Sequence, residues 1–373
     1  MPDAFSPSAR GLLQPPYYQL GARGNFSCVQ NPTKADFDQG IYKPRLTLTK
    51  RKAHAGYAVT LRVEFSAPKL FFGNNFDELR QTDFEKVLDI LHRKLAGMGI
   101  TVSKDILKNA SVSAIHYSKN VALTDYSTCS MITGELAKTN LNKRLDLSKT
   151  SFRNEGHAIC YHANSFEVTF YDKIKDLEQA GISGKRAIED DDTIQKNLFS
   201  KANYPKELEV LRMEVRLGNR RTIKAKLAKA GIIEGDLTFC KLFNKDISQK
   251  ILGYFWQECT QDMPLLAFSQ FKPEDIVQAM ISESKGKAKP AKLLQNLGGL
   301  MLLNSIGVRA AKVLLEQHGT SRTWQRIKKD LDGLDAITNS KYSAMRHVEA
   351  ALTHFEPLKL NAFQAGSYAS KTL

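Results

Sequence analysis

Long apolar stretches are missing from this chain of 373 residues. The longest apolar-looking segment, Leu297 to Ile306, is broken by Asn304 and Ser305. It falls well short of the ~18 to 20 residues that a membrane-spanning helix needs. The start, Met-Pro-Asp, has neither a basic cluster nor an apolar run, so no signal peptide is expected. Cysteine is scarce and scattered: Cys28, Cys129, Cys160, Cys240 and Cys259, with no Cys-x-x-Cys pair. That usage fits a reducing cytoplasm and disfavours both a disulfide framework and a cysteine-based zinc site. No Gly-x-x-x-x-Gly-Lys-Ser/Thr loop occurs, so no nucleotide hydrolysis is implied. Acid is in deficit: 54 Lys+Arg face 39 Asp+Glu, a net charge of +15. Apolar content is ordinary at 42%, which excludes a wholly disordered chain. A basic globular protein without a membrane segment favours a nucleic acid as its polyanion.

The length suggests more than one domain. Residues 1–45, rich in Pro, Gly, Ser and aromatics, read as an irregular arm with one short strand at most. Residues 46–232 read as mixed strand and helix, and residues 233–373 as mostly helical. Val59, Leu61, Val63 and Phe65 alternate with Thr60, Arg62 and Glu64, the period of a half-buried strand. Phe71-Phe72-Gly73-Asn74-Asn75 reads as a turn. Thr82 to Met98 carries apolar residues at helical spacing, with Thr82 and Glu85 placed as a capping box. Ala110 to Ser118 is a strand candidate and Asp125 to Asn140 a helix candidate. Ile159 to Tyr171 reads as a hairpin with its turn over residues 161–166. Leu208 to Leu217 is a further strand, with Arg212, Glu214 and Arg216 opposite an apolar face. A basic helix follows from Arg221 to Ala230. Residues 283–290 read as a basic hinge, and residues 306–331 as a weakly helix-turn-helix-like segment. The fold class is therefore α+β: an antiparallel-sheet domain with flanking helices, then a helical region.

Strand polar faces hold the chemistry-bearing residues. If the strands share one sheet, Glu64 and Glu214 converge with Tyr171. Carboxylates repel a phosphate backbone. In a basic protein they make sense as holders of a divalent cation that touches phosphate oxygens. A tyrosine hydroxyl can then attack phosphorus, and a lysine can neutralise developing charge. The histidines form no His-hydrophobic-His triplet. His157 and His162, five apart, are expected in turns or at the surface.

Three segments, in order, resemble the replication initiators of filamentous bacteriophages, the gene II protein family. They are Leu61-Arg62-Val63-Glu64-Phe65-Ser66-Ala67-Pro68-Lys69 with the following Gly73-Asn74-Asn75, then Tyr171-Asp172-Lys173-Ile174-Lys175-Asp176-Leu177, and Leu211-Arg212-Met213-Glu214-Val215-Arg216. The similarity spans residues 57–232. It implies a rolling-circle initiator that nicks and rejoins one DNA strand at a phage origin through a 5′-phosphotyrosyl link. The resemblance places the nucleophile on Tyr171 and metal ligands on Glu64 and Glu214. Ser113-Ala114-Ile115-His116-Tyr117 is similar to a family strand that carries Asp at the position of His116, making His116 a third candidate ligand for Mg²⁺ or Mn²⁺. Lys173 and Lys175 are candidates to stabilise charge. Tyr117, Tyr161 and Tyr204 are rival nucleophiles. Lys69, Asn74, Asn75, Arg212, Arg216, Arg220, Arg221, Lys224 and Lys226 are candidate DNA contacts, with the turn-former reading preferred for the Asn pair. The partners implied are supercoiled replicative-form DNA and a host helicase and polymerase in the bacterial cytoplasm. Two other readings remain open: a non-catalytic DNA-binding regulator that keeps the fold, and an RNA-binding structural protein.

Overall fold

The computed structural model describes residues 18–20, 26–31, 36, 39, 41–53, 56–123, 127–139, 151–153, 158–176, 209–232, 235–260, 273–319, 321–332 and 343–359. It is an α+β protein with two antiparallel sheets. The first sheet runs β1 (Tyr18–Leu20), β2 (Phe26–Gln30), β3 (Arg45–Ala53) and β4 (Gly56–Glu64), in chain order. The N-terminal arm thus supplies two strands. Register sets Leu46 against Val63 and Leu48 against Leu61, so one face is apolar. That face packs on Val87, Leu88, Leu91 and Leu95 of α2 (Phe84–Gly97). The opposite face pairs Arg45 with Glu64 and Thr49 with Thr60, whose hydroxyls meet at 2.6 Å.

Between β4 and α2 the chain forms α1 (Ala67–Phe72), capped by the Ser66 hydroxyl, and ends it at Gly73 in the left-handed region (φ 74°). A 3-10 turn, Gln81–Asp83, precedes α2. The capping box expected at Thr82 and Glu85 lies two residues earlier: the Asp83 carboxylate accepts the Arg80 N–H at 2.7 Å. A short α3 (Lys104–Lys108) follows, and then β5 (Ile115–Leu123), five residues later than the strand expected from Ala110.

The second sheet has the order β5-β9-β8-β7-β6, with β6 (Ser151–Arg153), β7 (Ala158–His162), β8 (Phe166–Asp172) and β9 (Glu209–Leu217). One face is apolar: Tyr117, Val121, Ile159, Tyr161, Val168, Phe170, Leu211, Met213, Val215 and Leu217 are all buried in one core. Covering it are α4 (Cys129–Lys138), α5 (Arg220–Lys229), α6 (Phe239–Leu242), α7 (Lys245–Thr260) and α11 (Ser343–His354). This core crosses residue 232, because α7 and α11 belong to it. The helices α8 (Pro273–Glu283), α9 (Pro290–Gln317) and α10 (Ser321–Asp332) have a separate core around Met280, Leu300, Leu303, Val308, Trp324 and Leu331. Gly307 (φ 84°) bends α9 by 113°. A Cβ there would sit 2.9 Å from the Lys138 carbonyl oxygen, so only glycine fits. Among the described residues, no single helix is long and apolar enough to cross a membrane.

A polar joint fixes the two sheets. Glu78 accepts from Lys119 Nζ at 2.6 Å, from the Asn120 N–H at 2.5 Å and from the Leu358 N–H at 2.8 Å. Arg212 Nη1 donates to the Asn75 carbonyl at 2.8 Å, and Asn120 Nδ2 to that of Phe76 at 2.6 Å. The Gly73–Glu78 turn is thereby pinned to one end of the second sheet.

Candidate active site

Register writes the face of the second sheet opposite the helical core as a grid. Directly opposed residues on antiparallel strands point to the same side. One row is His116, Arg216, Glu167 and His162; the next is Ser118, Glu214, Thr169 and Cys160; the third is Asn120, Arg212, Tyr171 and Ala158. Strand alternation turns every one of these away from the helical core. The result is a polar face built from four strands, each locked in place by the apolar residues between.

Glu214 is its centre. Its Oε1 lies 3.0 Å from Arg216 Nε and 3.5 Å from His116 Nδ1. Its Oε2 accepts the Tyr171 hydroxyl at 3.3 Å and lies 3.7 Å from Arg212 Nε. Burial alone would raise the Glu214 carboxyl, but His116, Arg212 and Arg216 outweigh it and hold the group well below the usual carboxylate range. Tyr171 moves the other way. Burial, helped by Glu214 and Asp176 and opposed by Arg212 and Arg216, pushes its phenol well above its ordinary value. The pair is therefore a protonated phenol hydrogen-bonded to a charged carboxylate that is a weak base in this setting.

Rival tyrosines sit elsewhere. Tyr117 and Tyr161 are on the apolar face, their hydroxyls donating to the carbonyls of Leu242 at 3.2 Å and Leu136 at 3.0 Å. Tyr204 and His157 lie outside the described residues. After Tyr171 the chain turns at once: the Asp172 carboxylate accepts from the N–H groups of Ile174 at 2.9 Å and Lys175 at 3.1 Å. Lys173 is buried, its Nζ 3.2 Å from Asp176 and 5.7 Å from the Tyr171 ring centre. Lys175 is half-exposed one turn on.

Glu64 does not join this group, which corrects the expectation of a single shared sheet. It ends β4 of the first sheet, where Arg62 holds it at 2.6 Å and Arg45 at 3.7 Å. Two arginines on the same sheet face satisfy the acid that was expected to hold a metal. Among the described residues, the groups of three or more possible ligands within 4.8 Å of one another are Cys160-His162-Glu167 and Cys129-Asp172-Glu209, not Glu64-His116-Glu214.

Three expected DNA contacts also face inward. Arg212 is buried and donates to Asn75, Asn120 and Ser118, so it holds the joint rather than a phosphate. Asn74 is buried and its Oδ1 accepts from the N–H groups of Phe76 at 2.9 Å and Asp77 at 2.8 Å, the turn-forming role. Lys226 is buried with its ammonium 4.0 Å from the Phe166 ring centre. Arg216, Arg221 and Lys224 are exposed, as is Arg220, which donates to Ser111. Lys69 and Asn75 are half-exposed.

Cys160 and His162 were not expected in the site, whereas the alternation of Phe166, Val168 and Phe170 already puts Glu167 on the polar face. His162 belongs to β7 rather than the turn, which is confined to residues 163–165. Extending the alternation of Ile159 and Tyr161 by one residue would have placed Cys160 and His162 on the polar face. No protein-family model, curated protein or solved structure matches this chain.

Proposed function

We propose that this chain nicks and rejoins one strand of duplex DNA by transesterification, as a rolling-circle replication initiator, with Tyr171 as the nucleophile. The observation that carries the proposal is the Tyr171 hydroxyl on the polar face, donating to Glu214 at 3.3 Å while Tyr117 and Tyr161 are locked in the core. The charge of +15 supplies the attraction to a polyanion.

In the proposed step the Tyr171 oxygen bonds to phosphorus as the bond from phosphorus to the 3′-oxygen breaks. The phenolic proton passes to Glu214 Oε2, and the leaving 3′-oxygen takes a proton from solvent. Rejoining is the same step in reverse. Glu214 is a weak base while both arginines hold it. Arg216 is the movable one, with a side chain 46% exposed. Transfer of Arg216 to an entering phosphate would both bind the anion and restore basicity to Glu214. Lys173 stands beside Tyr171 to offset charge at the bridging oxygen. The expected Mg²⁺ or Mn²⁺ ligand set does not assemble, since Glu64 is engaged on the other sheet, so no step is assigned to that metal.

A second reading, a DNA-binding regulator without chemistry, is favoured by the pairing of Glu214 with three cationic or potentially cationic groups. Incubation with supercoiled plasmid carrying origin fragments of the source replicon decides between them. Open circles with protein on the 5′ end support the enzyme. Salt-sensitive binding without open circles, with Mg²⁺ or Mn²⁺ supplied, supports the regulator.

A further inference from the structure

We infer that Cys160, His162 and Glu167 form a binding site for a zinc-class divalent ion. The inference goes beyond the proposed nicking reaction and does not depend on Tyr171 being its nucleophile. The three residues lie on the β7–β8 hairpin, in register: Cys160 opposes Thr169 and His162 opposes Glu167. Ala163 donates its N–H to the Phe166 carbonyl at 2.9 Å, closing the turn. Counting back along the ladder, the Cys160 and His162 pairs are the non-hydrogen-bonded ones, in which opposed side chains stand closest.

One donor atom from each of the three residues lies within 4.8 Å of the others. Cys160 Sγ lies 3.9 Å from His162 Nδ1, which lies 2.7 Å from Glu167 Oε2. Tetrahedral zinc with ordinary bond lengths needs a sulfur-to-nitrogen separation of about 3.6 Å and a nitrogen-to-oxygen separation of about 3.3 Å. Exchanging the His162–Glu167 hydrogen bond for two metal bonds takes a shift of roughly half an ångström in partly exposed side chains. Binding releases the thiol proton to solvent. The proton that His162 Nδ1 shares with Glu167 leaves to solvent, and the imidazole carries its one remaining proton on Nε2, so Nδ1 offers its lone pair. Thiolate and carboxylate together balance the dication.

The ligands are already oriented by neighbours. Glu167 Oε1, the oxygen turned away from His162, lies 3.2 Å from Arg216 Nη1 in an ion pair and accepts from Thr169 Oγ1 at 3.3 Å. Thr169 Oγ1 also lies 3.2 Å from Cys160 Sγ. Thr169 is the outer partner shared by both ligands, and such partners help a metal ligand hold its aim. Cys160 is buried, while His162 and Glu167 keep 28% and 22% of their side chains exposed, leaving an entry path and a fourth position for water. The mixed sulfur, nitrogen and oxygen donors select zinc or a similar transition ion over Mg²⁺, which demands oxygen.

Cys129, Asp172 and Glu209 form the contrasting cluster. There Glu209 accepts the Cys129 N–H at 2.6 Å and Asp172 caps the turn after Tyr171. Burial, with Asp172 and Glu209 nearby, pushes the Cys129 thiol far up, away from the thiolate a metal requires. Those acids serve the backbone.

The test is titration of the metal-free full-length chain with Co²⁺, followed by competition with Zn²⁺. Wild type should bind one equivalent with a thiolate-to-cobalt charge-transfer band, and Zn²⁺ should erase the band. Cys160→Ser should abolish it. His162→Asn, at a partly exposed side chain, should weaken Zn²⁺ by more than the roughly 10–100-fold cost of losing an outer partner. Tyr171→Phe should leave binding unchanged, so failure of the nicking reaction and failure of the metal site give separate results. Absence of the band in wild type, or a band that survives Cys160→Ser or His162→Asn with full affinity, would overturn the inference.

Discussion

Replacing Glu214 by Gln keeps the shape of the side chain and removes its charge. The carboxylate is buried and faces Arg216 at 3.0 Å, Arg212 at 3.7 Å, His116 at 3.5 Å and the Tyr171 hydroxyl at 3.3 Å. Removing one partner of a buried ion pair costs about 3–5 kcal/mol, because the other charge stays buried without compensation. Gln can still accept from Arg216 or Tyr171, and Arg212 retains its bonds to Asn75, Asn120 and Ser118. The expected loss is therefore at the low end, about 3 kcal/mol. It is read as the drop in unfolding free energy in a urea titration at neutral pH. The pH dependence has a fixed sign. The folded carboxyl titrates below its unfolded value of about 4.3, so its stabilisation is complete above that pH and fades as pH falls towards the folded value. The gap between wild type and variant should thus be widest near neutrality and shrink below about pH 4. A loss under about 0.5 kcal/mol at neutral pH, or a gap that widens in acid, would refute the reasoning.

Arg212→Lys should destabilise the fold by about 2–4 kcal/mol, since an ammonium cannot span the Asn75 carbonyl, Asn120 and Ser118 together. The salt slope of DNA binding should stay at the wild-type value; a slope reduced by about one would mean that Arg212 does touch phosphate. Glu64→Gln removes a largely surface ion pair and should cost less than about 1 kcal/mol, with nicking retained. Loss of nicking in that variant would return Glu64 to the site.

Much of the fold was legible because alternation survives single-residue inspection. Leu211, Met213, Val215 and Leu217 define β9, and their spacing alone puts Arg212, Glu214 and Arg216 on the other face. The hairpin β7–β8 and the basic helix α5 were equally readable. Sheet membership was not. Nothing in Val59 to Phe65 says that the β3–β4 hairpin joins β2 of the N-terminal arm rather than the second sheet, because that choice is decided by contacts remote in sequence. That gap placed Glu64 in the wrong sheet. Burial of charge was hidden for the same reason. Arg212 and Lys226 look like their exposed neighbours until the Asn75 turn and the Phe166 ring are brought against them. The charge of +15 pointed to a polyanion but located no surface. Cys160 and His162 were missed because the turn was drawn too wide.

The central claim rests on one covalent bond. Wild-type protein and Tyr171→Phe, incubated with supercoiled origin DNA and then digested with nuclease and protease, can be compared by peptide mass spectrometry. A nucleotide adduct on the Tyr171 peptide of wild type, absent from a Tyr171→Phe protein that binds DNA with nearly unchanged affinity, is the predicted result. An adduct on another residue, or open circles formed by Tyr171→Phe, would contradict it.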